Sequence, residues 1–524
     1  MPSPSLSLEG PRLRQGLVIF ICASLFALCP QWITGIPLPH RLEPDAEYFV
    51  TLWQTMLQPN LFSADGTLPR ELPAGELLLL RFLVTVGQWL HLNPYVWSVT
   101  LSFLLLLFFC AGVYAVIYYS TGKSSLAFWV SLLSIIPVKA LGASRFGIRV
   151  GGFVPQHLAL VLAVWLLGVY LYGVRRDSKK IIGSYFLGCG MLANLYPQFW
   201  IQTAGTMLLA EALRVRKFSP MLIYGGAVII AASPTIYSVL SQFGWSRPID
   251  MELMHSRYPY LVIYPVTRRV IYYLRSFVVF ALANAFLYLG LLKGRGLLER
   301  EALTPWWAIM KSSFILSILG LGVESFTPWT RFLISRASIW FTFASLTIIA
   351  AGLLSVWGGR LSPRQRALPL VCFASFFLIQ SEAVPSALKM WRDYQGRSAH
   401  RELVEAALTL REASGPDDVI LVPSGRGNDL AHTVRTYAVR SVYAAYKDGG
   451  ASLINGEKAR LWFERYERQT GILQKHDSAA LIDFMRKEKI AFALLPAKGV
   501  GWDMASLEAY RFADVGEYLI IKVA

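Results

Sequence analysis

Long apolar runs separated by short basic clusters set the plan of this chain. The first extends from Gly16 to Ile33. Others follow at roughly 94–119, 124–138, 156–174, 180–195, 197–213, 219–240, 270–292, 304–323, 337–357 and 367–385. A helix needs about 20 apolar residues to cross a bilayer, so the pattern predicts about eleven transmembrane helices. Residues 77–90 are also apolar, but Arg81 and Gln88 interrupt them and His91 follows, which suits a helix lying in the membrane interface. The pattern changes after residue 385. Leu403, Ala406, Ala407 and Leu410 share one helical face within 399–413, and residues 419–422 read as a buried strand. Further strands are expected at 440–444, 490–495, 510–512 and 518–523, with helices at 456–469 and 478–488. Strands alternating with helices predict a small α/β domain over 386–524, after a membrane domain over 1–385 with a large first outer loop at 34–93.

Composition supports this division. Hydrophobic residues are 55% of the 524 and charged residues only 16%, against roughly 25% charged in soluble domains. The net charge of +17 would suit nucleic acid, but Lys and Arg stand in short clusters between apolar runs, so no nucleic-acid partner is expected. Lys123, then Arg175, Arg176, Lys179 and Lys180, then Arg214, Arg216 and Lys217 occupy alternate connections. Lys293 and Arg295, then Arg360, Arg364 and Arg366, continue the series. The positive-inside rule places these in the cytoplasm, with the N-terminus inside and the C-terminal domain outside. The loops at 34–93, 139–155, 241–269 and 324–336 then face the same side as that domain. Cys22, Cys29, Cys110, Cys189 and Cys372 all fall in apolar segments, without metal-ligand spacing or a disulfide framework. The first apolar run lacks a clear small-residue cleavage site and reads as a retained helix.

Glu43, Asp45 and Glu47 stand about a dozen residues after the first span. Charge beside a bilayer is costly, which makes the cluster a candidate functional site; the plainer reading is a solvated acidic turn. On the same expected side lie Arg145 and Arg149, Arg257, Arg268 and Arg269, and Arg331 and Arg336. Their planar forks suit phosphate oxygens, with lipid-headgroup contact as the alternative for each. Arg145 and Arg149 are four apart, which predicts one helical face. His255 and His157 are candidate proton carriers, although His157 also suits the start of a helix.

The plan, with Asp45-Ala-Glu47-Tyr48-Phe49 just after the first span and an outer C-terminal domain, resembles the GT-C glycosyltransferases. These are polytopic enzymes of the protein mannosyltransferase, aminoarabinose transferase and oligosaccharyltransferase type. Gly188-Cys-Gly190-Met-Leu-Ala-Asn194-Leu-Tyr196-Pro197 is similar to a Gly-x-x-x-Asn-x-His-Pro segment of related bacterial membrane proteins, with Tyr196 in place of the His. Arg440–Lys447 and Leu461–Arg465 resemble the outer domain of uncharacterised bacterial members.

The resemblance implies transfer of a sugar from a polyprenyl-phosphate carrier in the membrane to an acceptor on the outer face, with inversion, in a bacterial inner membrane whose active side is periplasmic. Asp45 is then the first candidate for the base and Glu47 the second, and on a helix they would lie about 200° apart. One would act on the acceptor while the other binds a divalent metal or orients the acceptor. Tyr48, Tyr196, Arg145, Arg149, His255, Arg257 and Arg336 are the candidate substrate-binding residues. The alternative is a transporter, lipid-binding protein or scaffold without chemistry. For transport, Glu211 is the only clear acidic candidate within the spans, and it sits beside Arg214. The nucleotide loop Gly-x-x-x-x-Gly-Lys-Ser/Thr, the Gly-x-Ser-x-Gly elbow and His-Glu-x-x-His are all absent from the sequence.

Overall fold

The computed structural model describes residues 10–34, 42, 44–68, 74–139, 145–243, 300–326, 337–358, 397–425, 428–446, 448, 456–497 and 501–523, with isolated positions at 278, 377, 381, 388, 391 and 395. Up to residue 358 the described residues are mostly helical. α1 (Gly10–Thr34), α2 (Pro44–Leu57), α3 (Ala74–Trp89), α4 (Pro94–Thr121) and α5 (Ser124–Leu133) precede two short strands, β1 (Val138–Lys139) and β2 (Arg145–Phe146). α6 (Pro155–Arg175), α7 (Lys179–Met191), α8 (Pro197–Val215), α9 (Ser219–Phe243), α10 (Arg300–Phe326) and α11 (Ser338–Gly358) follow.

Five of these helices are long and apolar enough to cross a membrane, through Leu13–Trp32, Pro94–Thr121, Pro155–Arg175, Ser219–Ser238 and Ala302–Gly320. The expected eleven are not reached among the described residues. α5 has 10 residues and α7 has 13, about 15 and 20 Å of helix against a hydrocarbon core of about 30 Å. The expected spans at 270–292 and 367–385 lie outside the described residues, apart from 278, 377 and 381. α7 ends where the chain makes one 3-10 turn, Leu192–Asn194, and an extended Tyr196 leads into Pro197, the first residue of α8. The stretch expected at 77–90 is helical as α3, with Leu78, Phe82 and Trp89 exposed and Leu80, Leu83 and Val84 buried.

Inside the bundle, α7 approaches α9 backbone to backbone. A Cβ on Gly190 would lie 2.4 Å from the Val228 carbonyl oxygen, so only glycine permits this approach. Just beyond, Asn194 donates to the Ala231 carbonyl (3.2 Å) and accepts from Thr235 (2.7 Å). Pro234 within α9 cannot donate to the Ile230 carbonyl, and the Ser233 hydroxyl takes its place at 2.8 Å. The Gly188–Pro197 segment therefore earns its residues, where the structure gives contacts for them, through packing.

The C-terminal region contains α12 (Arg397–Ala413), β3 (Val419–Leu421), the β4–β5 pair (Ser424–Gly425 and Asn428–Asp429), α13 (Leu430–Ala438), β6 (Ser441–Val442), α14 (Gly456–Lys475) and α15 (Ser478–Lys487). β7 (Phe492–Pro496), α16 (Met504–Leu507), β8 (Arg511–Val515) and β9 (Tyr518–Lys522) complete it. The sheet runs β6-β3-β7-β9-β8, with β3 parallel to β6 and β7 and β9 antiparallel to β7 and β8. Leu403, Ala407, Leu410 and Val434 belong to one core cluster and Leu481, Met485 and Trp502 to a second, which together make a small mixed α/β fold. The β4–β5 pair and α13 are not among the elements expected from the sequence.

Candidate functional site

The acidic stretch after α1 forms the first turn of a helix. Pro44 opens α2, and Asp45 and Glu47 sit where the partial positive charge of a helix N-terminus stabilises carboxylates. Ala46, Phe49, Val50 and Trp53 recur at i, i+3, i+4 and i+7 and are buried, which makes them the stripe that folds this segment as a helix. At 100° per residue Asp45 and Glu47 point about 200° apart. Asp45 is exposed and Glu47 only 3% exposed.

Glu47, Thr51 and Gln54 form a polar stripe on α2, and α13 covers it. Thr433 donates to Glu47 Oε1 at 3.2 Å, and Thr51 Oγ1 lies 3.4 Å from Thr436 Oγ1. The Gln54 amide donates to the Thr436 carbonyl at 3.1 Å and the Tyr95 hydroxyl donates to it at 2.5 Å. That carbonyl is among the last four of α13, which have no intrahelical donor, so the docking also completes a helix end. Tyr437 stacks on Tyr95 with ring centroids 5.3 Å apart. Burial first, and then the Glu47 charge, push the Tyr437 hydroxyl pKa upward. Tyr48 meets His432 edge to face at 6.4 Å.

A buried charge cluster ties the turn after α2 to the same helix. Asp65 Oδ1 accepts from the amides of Thr67 and Leu68, at 3.2 and 3.0 Å, and so shapes the turn. Arg435 reaches Asp65 Oδ2 at 2.7 Å and Asp448 Oδ2 at 2.6 Å, with all three side chains fully buried. Thr67 donates to Asp448 at 2.7 Å. Burial alone would lower the Arg435 pKa, but the two carboxylates raise it above its ordinary value. Asp448 is raised by burial, which Arg435 offsets only in part, and the neighbouring Asp65 charge adds to the rise. The cluster holds one cation and two carboxylates, and every member is hydrogen-bonded, as buried charge requires.

On its apolar side α2 rests against the segment before α6. A Cβ on Gly152 would lie 2.4 Å from the Ala46 Cβ, and its φ of +109° also calls for glycine. Phe153 stacks on Trp53 at 5.8 Å, and its amide donates to Ser98 at 2.8 Å. This segment carries Arg145 and Arg149, which do not share a helical face as their spacing predicts. Val138 pairs with Phe146 and Lys139 with Arg145, so a two-strand ladder replaces a helix there. Phe146 is pinned by stacking on Phe343 at 4.3 Å. Arg149 follows in irregular backbone, its carbonyl accepting from Ser102 at 2.8 Å.

Tyr196 is the half-buried residue that leads into α8. His157 falls in the first turn of α6, and Val154 occupies the cap position. His255, Arg257 and Arg336 lie outside the described residues, as do Arg268, Arg269 and Arg331. Asp45 and Glu47 diverge, and among the described residues no three His, Cys, Asp or Glu side chains come together to hold a metal ion. Among the described residues, Asp45 and Glu47, about 200° apart on α2, do not themselves converge on one metal ion.

The site thus includes Thr433, Arg435, Thr436 and Asp448, which no local pattern marks. All nine residues of α13 are buried, so it has no exposed polar face to alternate with an apolar one.

No family model matches the chain, and no curated protein does. Among solved structures the chain is similar to the crystal structure of the Archaeoglobus fulgidus oligosaccharyltransferase in complex with zinc and sulfate. The identity is 11%, the match covers 97% of this chain and 73% of that one, and the TM-score is 0.45. Function is therefore read from the site.

Proposed function

We propose that the chain is a membrane glycosyltransferase of GT-C type that moves a sugar from a polyprenyl-phosphate donor to an acceptor on the outer face, with Asp45 as the base. The observation that carries this reading is the division of labour on α2. Glu47 is buried against α13, whereas Asp45 is exposed at the end of the helix that immediately follows a membrane-spanning candidate. The likeness of Asp45-Ala-Glu47-Tyr48-Phe49 to the acidic motif of that superfamily supports it.

Asp45 takes the proton of the acceptor hydroxyl as its oxygen attacks the anomeric carbon. The bond from that carbon to the phosphate oxygen breaks, the polyprenyl phosphate leaves with the electron pair, and the sugar inverts. A base in position contributes about 10²–10⁴-fold. Arg145 and Arg149 neutralise the leaving phosphate, and His255, Arg257 and Arg336 are further candidates for that task, with Tyr48 and Tyr196 for contact with substrate. Glu47 is assigned to holding α2. The N-terminus is cytoplasmic and the C-terminal domain periplasmic, in a bacterial inner membrane.

Purified protein reconstituted with radiolabelled polyprenyl-phosphate sugars tests this directly. Sugar release or transfer by the wild type, reduced about 10²–10⁴-fold in Asp45→Asn, is the expected result. Transfer that survives the substitution removes Asp45 as base. A folded wild type that turns over no donor points instead to a lipid-binding or scaffold role.

A further inference from the structure

α2 is held from the side of the C-terminal domain at two places. Near its start, Glu47 accepts from Thr433; near its end, Gln54 donates to the Thr436 carbonyl. The turn beyond it is fastened separately, Asp65 to Arg435. Glu47, Thr51 and Gln54 share one face, so these bonds fix the rotation of α2 about its own axis as well as its location. The opposite side is apolar and close-packed, Ala46 on Gly152 and Trp53 on Phe153. Such contacts tolerate sliding and turning better than directional hydrogen bonds do. Turning the helix by one residue's worth, about 100°, would carry Asp45 from its exposed position toward the bundle or toward α13.

We propose that Thr433, Thr436 and Arg435 are positioning residues. By docking on α2 and its following turn, α13 sets the direction in which Asp45 points, so the C-terminal domain governs the reaction without touching the substrate. This rests on Asp45 being the base. A displacement of about 1 Å in a reacting group can cost about 100-fold in rate, which sets the size of the expected effect.

Two variants of the full chain separate positioning from folding. Thr433→Val with Thr436→Val removes the Thr433–Glu47 bond and the Thr436–Thr51 contact, and leaves the bonds to the Thr436 carbonyl and the buried charge cluster alone. Arg435→Met with Asp65→Asn and Asp448→Asn removes the fastening of the turn without leaving buried charge unpaired. Each is assayed for turnover of a radiolabelled polyprenyl-phosphate sugar, and for hydrogen exchange in 44–57 and in the domain sheet. The expected result is a fall in kcat of about 100-fold with KM for the donor unchanged. Exchange should quicken in 44–57 and stay unchanged in β3 and β7, and Thr433→Ser with Thr436→Ser should restore both. Unchanged exchange in 44–57 overturns the docking role, and quickened exchange with full kcat overturns the link to Asp45. If the wild type is inactive while exchange in 44–57 still responds to the substitutions, the docking role stands and the catalytic reading falls.

Discussion

Among the described residues, two clusters of charge are buried by two different routes. At the end of α8, Glu211 accepts from Arg214 at 2.7 and 2.8 Å and from the Tyr170 hydroxyl at 2.8 Å. The ion pair lies within one helix turn, and Arg214 keeps 21% of its side chain exposed. At the α2–α13 junction, Arg435 joins Asp65, 370 positions away, and Asp448, 13 positions away, with nothing exposed. The first pair forms as soon as its helix does, and its cation can still reach solvent or a lipid headgroup. The second exists only when two distant parts of the chain have met. A local pair trims the cost of charge at a helix end, whereas the distant one specifies which surfaces dock.

The largest effect expected from breaking this contrast belongs to Arg435→Met alone. Two carboxylates would be left buried without their cation, a loss of about 3–5 kcal/mol, read as a fall in the unfolding temperature of the purified protein. Adding Asp65→Asn and Asp448→Asn should recover most of it. If the single variant is as stable as the wild type, the cluster does not join the two regions. Glu211→Gln should cost less, about 1–2 kcal/mol, because Arg214 can turn outward and Tyr170 still has an amide to bond. A loss as large as that of Arg435→Met would erase the distinction between the two clusters.

The smallest effect is a pH dependence. The raised pKa of Asp448 means that the folded chain holds this proton more tightly than the unfolded chain does. Its contribution is therefore fully present below the ordinary carboxylate value of 3.8 and is lost as pH rises through the raised value. The stability of the wild type relative to Asp448→Asn should fall as pH climbs above about 4. A difference that grows with pH would show that Arg435 outweighs burial at this carboxylate.

The same contrast separates what the sequence makes legible from what it hides. Glu211 and Arg214 stand three apart on an apolar helix, and their pairing can be read from spacing. Asp45 and Glu47 stand out because carboxylates beside a span are costly, whereas α2 itself, within the expected first outer loop, is not among the elements expected from the sequence. The sheet strands announce themselves as short apolar runs. α13 does not, because a helix covered on every side has no polar face to give a 3.6-residue rhythm. Its Thr433, Arg435 and Thr436 take partners in Glu47, Gln54 and Asp65, which a sequence window around α13 never contains. The helical spacing expected of Arg145 and Arg149 failed for the same reason. Phe146 packs on Phe343, a distant partner, and that contact accompanies a strand pair instead of a helix.

The 370 positions between Asp65 and Arg435 are also an interval of time. At about 5–20 residues per second, a ribosome that has made Asp65 needs roughly 20–70 s more to make its partner. Through that interval the turn after α2 carries a carboxylate whose cation does not yet exist, and any chain cut short before α13 never acquires one. A late segment of the chain thereby completes an early one, and a chain that stops before α13 is left with α2 undocked.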